Sequence, residues 1–224
     1  MPTTRQKRVF VATVAAVLLL LSGMNAAAEE PPLPLYGQLM VAAFSADETD
    51  ENLEEDSYDL TLFGVAAQKP LLPDLPVDLG FETGALLSWK SDTRFVQISS
   101  GPSGGTVRVE IDNKMLLVDY FFGGYAGFRL TRWLRLYAGA GPLLVYGYRE
   151  IQPEPFNGES PEKTYESKLA VGAYARCGAE IVFTDRCMLG AGVRAMTSGL
   201  EFKESVGKIR YEGMQYLLSF SFRL

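Results

Sequence analysis

None of the 224 residues is a histidine. A hydroxyl nucleophile or an attacking water needs a base that titrates near neutrality, and imidazole is the usual one. Without it, and with no serine–lysine pairing in evidence, hydrolytic and acyl-transfer chemistry has no sequence support, so the expectation is a protein that is not an enzyme. The two cysteines, Cys177 and Cys187, cannot build the usual four-ligand zinc site without imidazole partners, and neither a metal nor another cofactor is expected. What remains is a set of charged residues set singly within apolar, alternating segments: Asp59, Asp78, Glu82, Asp119, Arg129, Arg135, Arg176, Glu180, Arg194 and Arg223. Such charges either line a path for a solute or pair with one another, because an unpaired buried charge is costly. Pairing is the expectation.

The elements that carry these charges have a period of two. In "VDLGFETGALLSWK", Val77, Leu79, Phe81, Thr83, Ala85, Leu87 and Trp89 share one face, and Asp78, Glu82 and Lys90 lie on the other. A strand produces this alternation; a helix does not. The same reading predicts eight strands, over residues 33–46, 58–68, 77–90, 115–130, 134–149, 167–183, 187–200 and 213–224. The connections alternate: "KPLLPDLP", "TRW" and "TDR" are short, whereas the others are long and polar. In the long third connection, "SSGPSGGT" is a turn flanked by strand-like residues, which predicts a hairpin standing beyond the ends of the other strands.

The N-terminus reads as a secretory signal. Arg5, Lys7 and Arg8 precede a 13-residue apolar run, and Ala26 and Ala28 set a cleavage site after Ala28. The expected domains are therefore a signal peptide over 1–28 and one barrel domain over 29–224. The 13-residue run reaches only about 20 Å as a helix, against about 30 Å of hydrocarbon. Three of the 21 basic residues and none of the 27 acidic ones lie in 1–28, so the overall charge of −6 becomes −9. That sign argues against nucleic acid as a partner.

Alternation alone does not say which face points inward. Ten glycines lie on the charged face (Gly80, Gly84, Gly123, Gly127, Gly139, Gly141, Gly172, Gly178, Gly190 and Gly192). A solvated outer face needs none of them, whereas the cramped interior of eight strands needs small residues beside large ones. Aromatics on the apolar face cluster toward strand ends, among them Trp89, Tyr120, Tyr146, Phe183 and Phe222, with Trp133 in a turn. They predict two interfacial girdles. An all-β, eight-stranded, antiparallel, up-and-down transmembrane barrel follows, with charges inward.

These features resemble the small outer-membrane barrels of Gram-negative bacteria, the OmpA, OmpX and OmpW group. "LTRWLRLYAGAG", Leu130 to Gly141, is similar to a turn-and-strand phrase of that group, and "GMQYLL", Gly213 to Leu218, to the signal read by the β-barrel insertion machinery. The group's last residue is usually Phe or Trp; here Leu224 follows Phe222 and Arg223. The resemblance implies a monomer in the outer membrane, in contact with its lipid and lipopolysaccharide. It implies a structural or surface-interaction role through the long loops or, as in the OmpW branch, a narrow passage for small or apolar solutes. The enzymes of this architecture use histidine, so none of their sites carries over.

Two further expectations concern particular residues. Counting outward from "TDR" sets Phe183 opposite Cys187, Cys177 opposite Val193 and Arg176 opposite Arg194. The cysteines are then about 20 Å apart at ~3.3 Å per residue, too far for a disulfide. Two adjacent guanidiniums need carboxylates, which predicts a lumen network of Glu82, Arg176 and Arg194 with Glu180 contributing. The acidic stretch "DETDENLEED" reads as a solvated loop that could also attract a cation or a basic ligand.

Overall fold

The computed structural model describes residues 35–49, 56–72, 77–100, 105–153, 163–184, 186–202 and 208–224; the signal peptide expected over 1–28 lies outside them. Ten strands are present: β1 (Tyr36–Thr49), β2 (Asp56–Pro70), β3 (Val77–Ser100), β4 (Gly105–Arg129), β5 (Leu134–Pro153), β6 (Thr164–Thr184), β7 (Cys187–Thr197), β8 (Glu201–Phe202), β9 (Lys208–Arg210) and β10 (Gly213–Arg223). Each barrel strand pairs antiparallel with its chain neighbour, and β10 returns to β1, from Tyr36 opposite Arg223 to Phe44 opposite Gln215. β1 to β7 with β10 thus form a closed eight-stranded barrel. Closure satisfies the backbone groups that an open sheet would leave bare in hydrocarbon.

The alternation sets the faces. Leu79, Phe81, Trp89, Phe122, Phe128, Leu136, Leu144, Leu169, Val171, Ile181, Leu189, Tyr216 and Leu218 are exposed on the outside, while Glu82, Asp119, Arg135, Arg176, Glu180 and Arg194 are buried within. An apolar exterior around a charged interior is the arrangement of a transmembrane barrel of the outer-membrane type. Among the described residues no helix is long and apolar enough to cross a membrane.

One irregularity has a local cause. β4 and β5 pair from Gly124 opposite Ala140 downward and from Phe121 opposite Leu143 upward, with a gap between. Pro142 lies in that gap and has no amide hydrogen to donate; on its other side the ladder to β6 continues through Ala173.

Four details depart from or extend the sequence reading. β3 and β4 remain paired out to Ser100 opposite Gly105, so the expected hairpin is a continuous extension of the barrel wall. At the β6–β7 turn, Thr184 and not Phe183 lies opposite Cys187, because the register shifts after Val182; Cys177 lies opposite Val193 as expected. β7 ends at Thr197 rather than at residue 200. There Gly199 takes φ +61°, a left-handed conformation that side chains disfavour, and the chain turns into the lumen.

That turn changes the reading of the last long connection, which looked like a polar loop. Leu200, Phe202 and Tyr211 are buried inside the barrel against Phe44, Leu60, Leu62, Leu86, Met115, Leu117, Leu143 and Val145. Ser198 Oγ donates to the Tyr211 carbonyl, the Leu200 amide donates to Ser198 Oγ at 3.2 Å, and the Tyr211 amide donates to the Leu200 carbonyl at 3.0 Å. This cap also explains Asp59, which was expected inward. Leu60 and Leu62 fill the lumen beneath the cap, and Asp59 is exposed.

Candidate functional site: a charged lumen

The strand order places β3 and β4 across the lumen from β6 and β7, and the interior glycines leave room for long side chains to cross it. Arg176 and Arg194 lie opposite each other on β6 and β7. Neither deprotonates, so each reaches over to a carboxylate on the far wall.

Arg176 extends to Glu82 of β3, with Nη2 at 2.5 Å from Oε2 and Nε at 3.0 and 3.1 Å from Oε1 and Oε2. Tyr174 donates its hydroxyl to Glu82 Oε1 at 2.8 Å, and Gln68 Nε2 donates to Oε2 at 3.0 Å. The second Arg176 contact, Nη2 to Gln38 Oε1 at 3.1 Å, ties the pair to β1. Its guanidinium also sits 5.4 Å from the Tyr137 ring centre and 5.5 Å from that of Phe121, within cation–π range.

Arg194 does not join Glu82. It makes a bidentate pair with Asp119 of β4, with Nη1–Oδ2 at 2.6 Å and Nη2–Oδ1 at 2.9 Å. Gln215 accepts from Arg194 Nη1 at 3.0 Å, and Tyr211 of the cap donates to Asp119 Oδ2 at 3.2 Å. Glu180 does not join Glu82 either. It faces Arg135 directly across the β5–β6 ladder, with Nη1–Oε2 at 2.5 Å. Ser221 and Gln38 donate to its other oxygen at 2.9 and 3.3 Å. Asp78 lies 3.6 Å from Arg135 Nε at the mouth.

The expected single cluster is therefore three stacked pairs: Arg135–Glu180 at the turn end, Arg176–Glu82 in the middle and Arg194–Asp119 beneath the cap. The physical reason is one of height. Each guanidinium finds a separate carboxylate at its own level of the lumen, which keeps like charges from sharing one partner. Arg135 and Asp119 were read as inward from their strand faces, but their partners were not legible. Gln38, Gln68, Gln215 and Tyr211 were missed. The three glutamines occupy inward positions of their strands, a signal that parity supplies; nothing in the sequence marks Tyr211 as inward.

The three arginines have relative exposures of 1–4%, and Glu82, Asp119 and Glu180 of 0–2%. With the apolar cap above them, these side chains occupy successive levels of the lumen. It holds no nucleophile–base pair, and among the described residues no group of three or more acidic or cysteine side chains is placed to hold a metal.

Outside, the six expected girdle aromatics all face away from the lumen. Trp89, Tyr146, Trp133 and Phe183 are exposed; Tyr120 and Phe222 are half-buried. Thr83 Oγ1 lies 3.1 Å from the Tyr120 hydroxyl on the outer sheet surface. Phe222 lies opposite Gly37, and its ring covers the space that a side chain there would fill.

No protein-family model and no curated protein matches the chain. Among solved structures, it is similar to Ail, the attachment invasion locus protein of Yersinia pestis, with 12% identity, 87% of this chain and 100% of that chain covered, and a TM-score of 0.49. It is also similar to Neisserial surface protein A (17% identity, 85% and 96% covered, TM-score 0.45) and to the outer membrane protein OprG from Pseudomonas aeruginosa (12% identity, 86% and 96% covered, TM-score 0.43).

Proposed function

We propose that the protein is a closed outer-membrane barrel of a Gram-negative bacterium that acts at the cell surface, with the cap and the β3–β4 ribbon outside and the short turns in the periplasm. The observation that supports this reading is the occupied lumen wall: three ion pairs and an apolar cap lie at successive levels, whereas β3 and β4 continue well beyond the barrel. A buried, hydrogen-bonded ion pair holds its position because separating it leaves a charge without solvent. Outer-membrane lipid and lipopolysaccharide surround the apolar belt, and β10 is the strand offered to the insertion machinery.

Single-channel recording in planar bilayers tests the closed state. Purified wild-type protein is expected to give no discrete openings. Regular ohmic steps would overturn the reading in favour of a passage for small solutes.

Orientation has its own test. In a background where Cys177 and Cys187 are replaced by alanine, single cysteines at exposed Lys163 and half-exposed Glu212 should react with a membrane-impermeant maleimide on intact cells. Cysteines at exposed Arg132 and Arg186 should react only after the outer membrane is opened. Labelling of Arg132→Cys on intact cells would reverse the proposed topology.

A further inference from the structure

The apolar outer surface of the barrel is uneven. Phe122, Leu144 and Val171 are exposed on its loop side, and Phe128, Leu136 and Ile181 on its turn side. Between them the outward side chains are small. Ala126, Ala138 and Cys177 lie opposite one another across β4, β5 and β6, and Ala140, Ala175 and Ala195 do the same across β5, β6 and β7. The result is a groove of about 970 Å³ that crosses the strands, from Leu71 and Leu72 beside the β2–β3 turn to Met214 on β10. Gly124 helps to form it. A glycine weakens a strand and often marks a place where another group approaches the backbone closely. The outward Gly37 is covered by Phe222, but a side chain at Gly124 would meet only the Gly80 carbonyl oxygen, 3.9 Å away. Packing within the chain does not account for this glycine.

Depth and charge select the occupant. The groove lies within the apolar belt, where the groups on offer are acyl chains. Ala138 is four residues up β5 from Leu134, about 13 Å at ~3.3 Å per residue, and one leaflet of hydrocarbon is about 15 Å deep. A chain from a lipid anchored at the turn end therefore reaches it. The turn end itself is basic. Arg129, Arg132, Arg186 and Arg223 are exposed, and among the described residues none of them pairs with a side-chain carboxylate. Asp78 and Glu180, which lie at this end, face Arg135 instead. Arg132 is the best placed of the four, because its turn joins β4 and β5, the strands that carry Ala126 and Ala138.

We propose that this groove holds an acyl chain of an anionic glycerophospholipid, whose phosphate is met by the unpaired arginines of the turn end, Arg132 first among them. The small side chains let the chain lie close against the backbone, and the arginines choose the headgroup by charge. The proposal rests on the membrane-spanning reading, with the turn end in the phospholipid leaflet, and is independent of whether the lumen conducts.

The test uses the full barrel in detergent micelles carrying equal amounts of palmitoyl-oleoyl phosphatidylglycerol and phosphatidylcholine, read by native mass spectrometry. Wild-type protein should retain phosphatidylglycerol in preference to phosphatidylcholine. Arg132→Gln should reduce that preference about fivefold, the size expected for one arginine beside an anionic surface. Ala140→Leu/Ala175→Leu fills the groove and should abolish retention, whereas Ala43→Leu, at an exposed position of β1 away from the groove, should not. The folded band on electrophoresis checks that each variant assembles. Wild-type protein also supplies a measurement that needs no variant: phosphatidylglycerol with a diazirine on its acyl chain should label β5 and β6 around Ala138 and Ala175 more heavily than β1 and β2. Equal retention of the two lipids, unchanged retention in the double leucine variant, or labelling spread evenly round the barrel would overturn the proposal. So would a barrel dimer that the double leucine variant disrupts, because a second copy would then occupy the groove. Failure here leaves the closed surface barrel standing, and channel openings would overturn that barrel while leaving lipid retention unaffected.

Discussion

Replacing Glu82 by glutamine is expected to lower the thermal unfolding midpoint in detergent sharply, whereas Glu212→Gln should leave it almost unchanged. Glu82 is buried and meets Arg176, Tyr174 and Gln68 together. The amide keeps the shape but removes the charge that balances a guanidinium unable to deprotonate, and one Glu82 oxygen becomes a donor facing donors. Breaking a buried pair in this way costs about 3–5 kcal/mol. Glu212 pairs with Arg210 at 3.1 Å with both side chains well exposed, and a solvated pair of that kind is worth about 1 kcal/mol or less. The double variant Glu82→Gln/Arg176→Met should recover much of the loss, because it removes the orphaned charge together with its partner. A Glu82→Gln protein as stable as Glu212→Gln would mean that the middle pair does not hold the barrel.

Deleting Phe220–Leu224 should abolish the folded, heat-modifiable band on electrophoresis. The deleted residues include the positions opposite Leu39, Gln38, Gly37 and Tyr36 on β1 and Leu189, Met188 and Cys187 on β7. The Leu224 amide also donates to the Leu35 carbonyl at 2.8 Å. Without this stretch the barrel has two open edges at membrane depth, and each bare backbone group in hydrocarbon costs several kcal/mol. The same deletion removes Ser221, a donor to Glu180, so it also loosens the lowest ion pair. A truncated chain that still gives the shifted band would show that β10 does not close the sheet in this way.

The wall of the barrel was legible in the sequence because lipid outside and a narrow lumen inside force a strict period of two, as in Val77–Lys90. The register of Arg176 against Arg194 was legible because a short turn joins their strands. Arg135 against Glu180 was not, because β5 and β6 are joined by a long connection that fixes no register. The crossings of the lumen, Arg176 to Glu82 and Arg194 to Asp119, depend on the tilt and stagger of the whole barrel, which no local pattern encodes. The cap was hidden for a different reason. Leu200, Phe202 and Tyr211 are spread through a stretch that is polar on average, and they are apolar where the chain re-enters the barrel. The inward Leu60 and Leu62 follow from that cap, since an apolar filling inverts the preference for charge in the lumen beneath it.

The central claim, apolar surface outward and charge inward, is tested most directly by the two tryptophans. Trp89 and Trp133 are the only ones in the chain, and both are exposed on the outer surface toward opposite ends of the barrel. Protein reconstituted in vesicles of brominated phosphatidylcholine should show strong fluorescence quenching in each single-tryptophan variant, Trp89→Phe and Trp133→Phe, with bromines near the headgroups quenching more than bromines at the chain ends. Emission that ignores brominated lipid and is instead quenched by aqueous acrylamide would contradict the account.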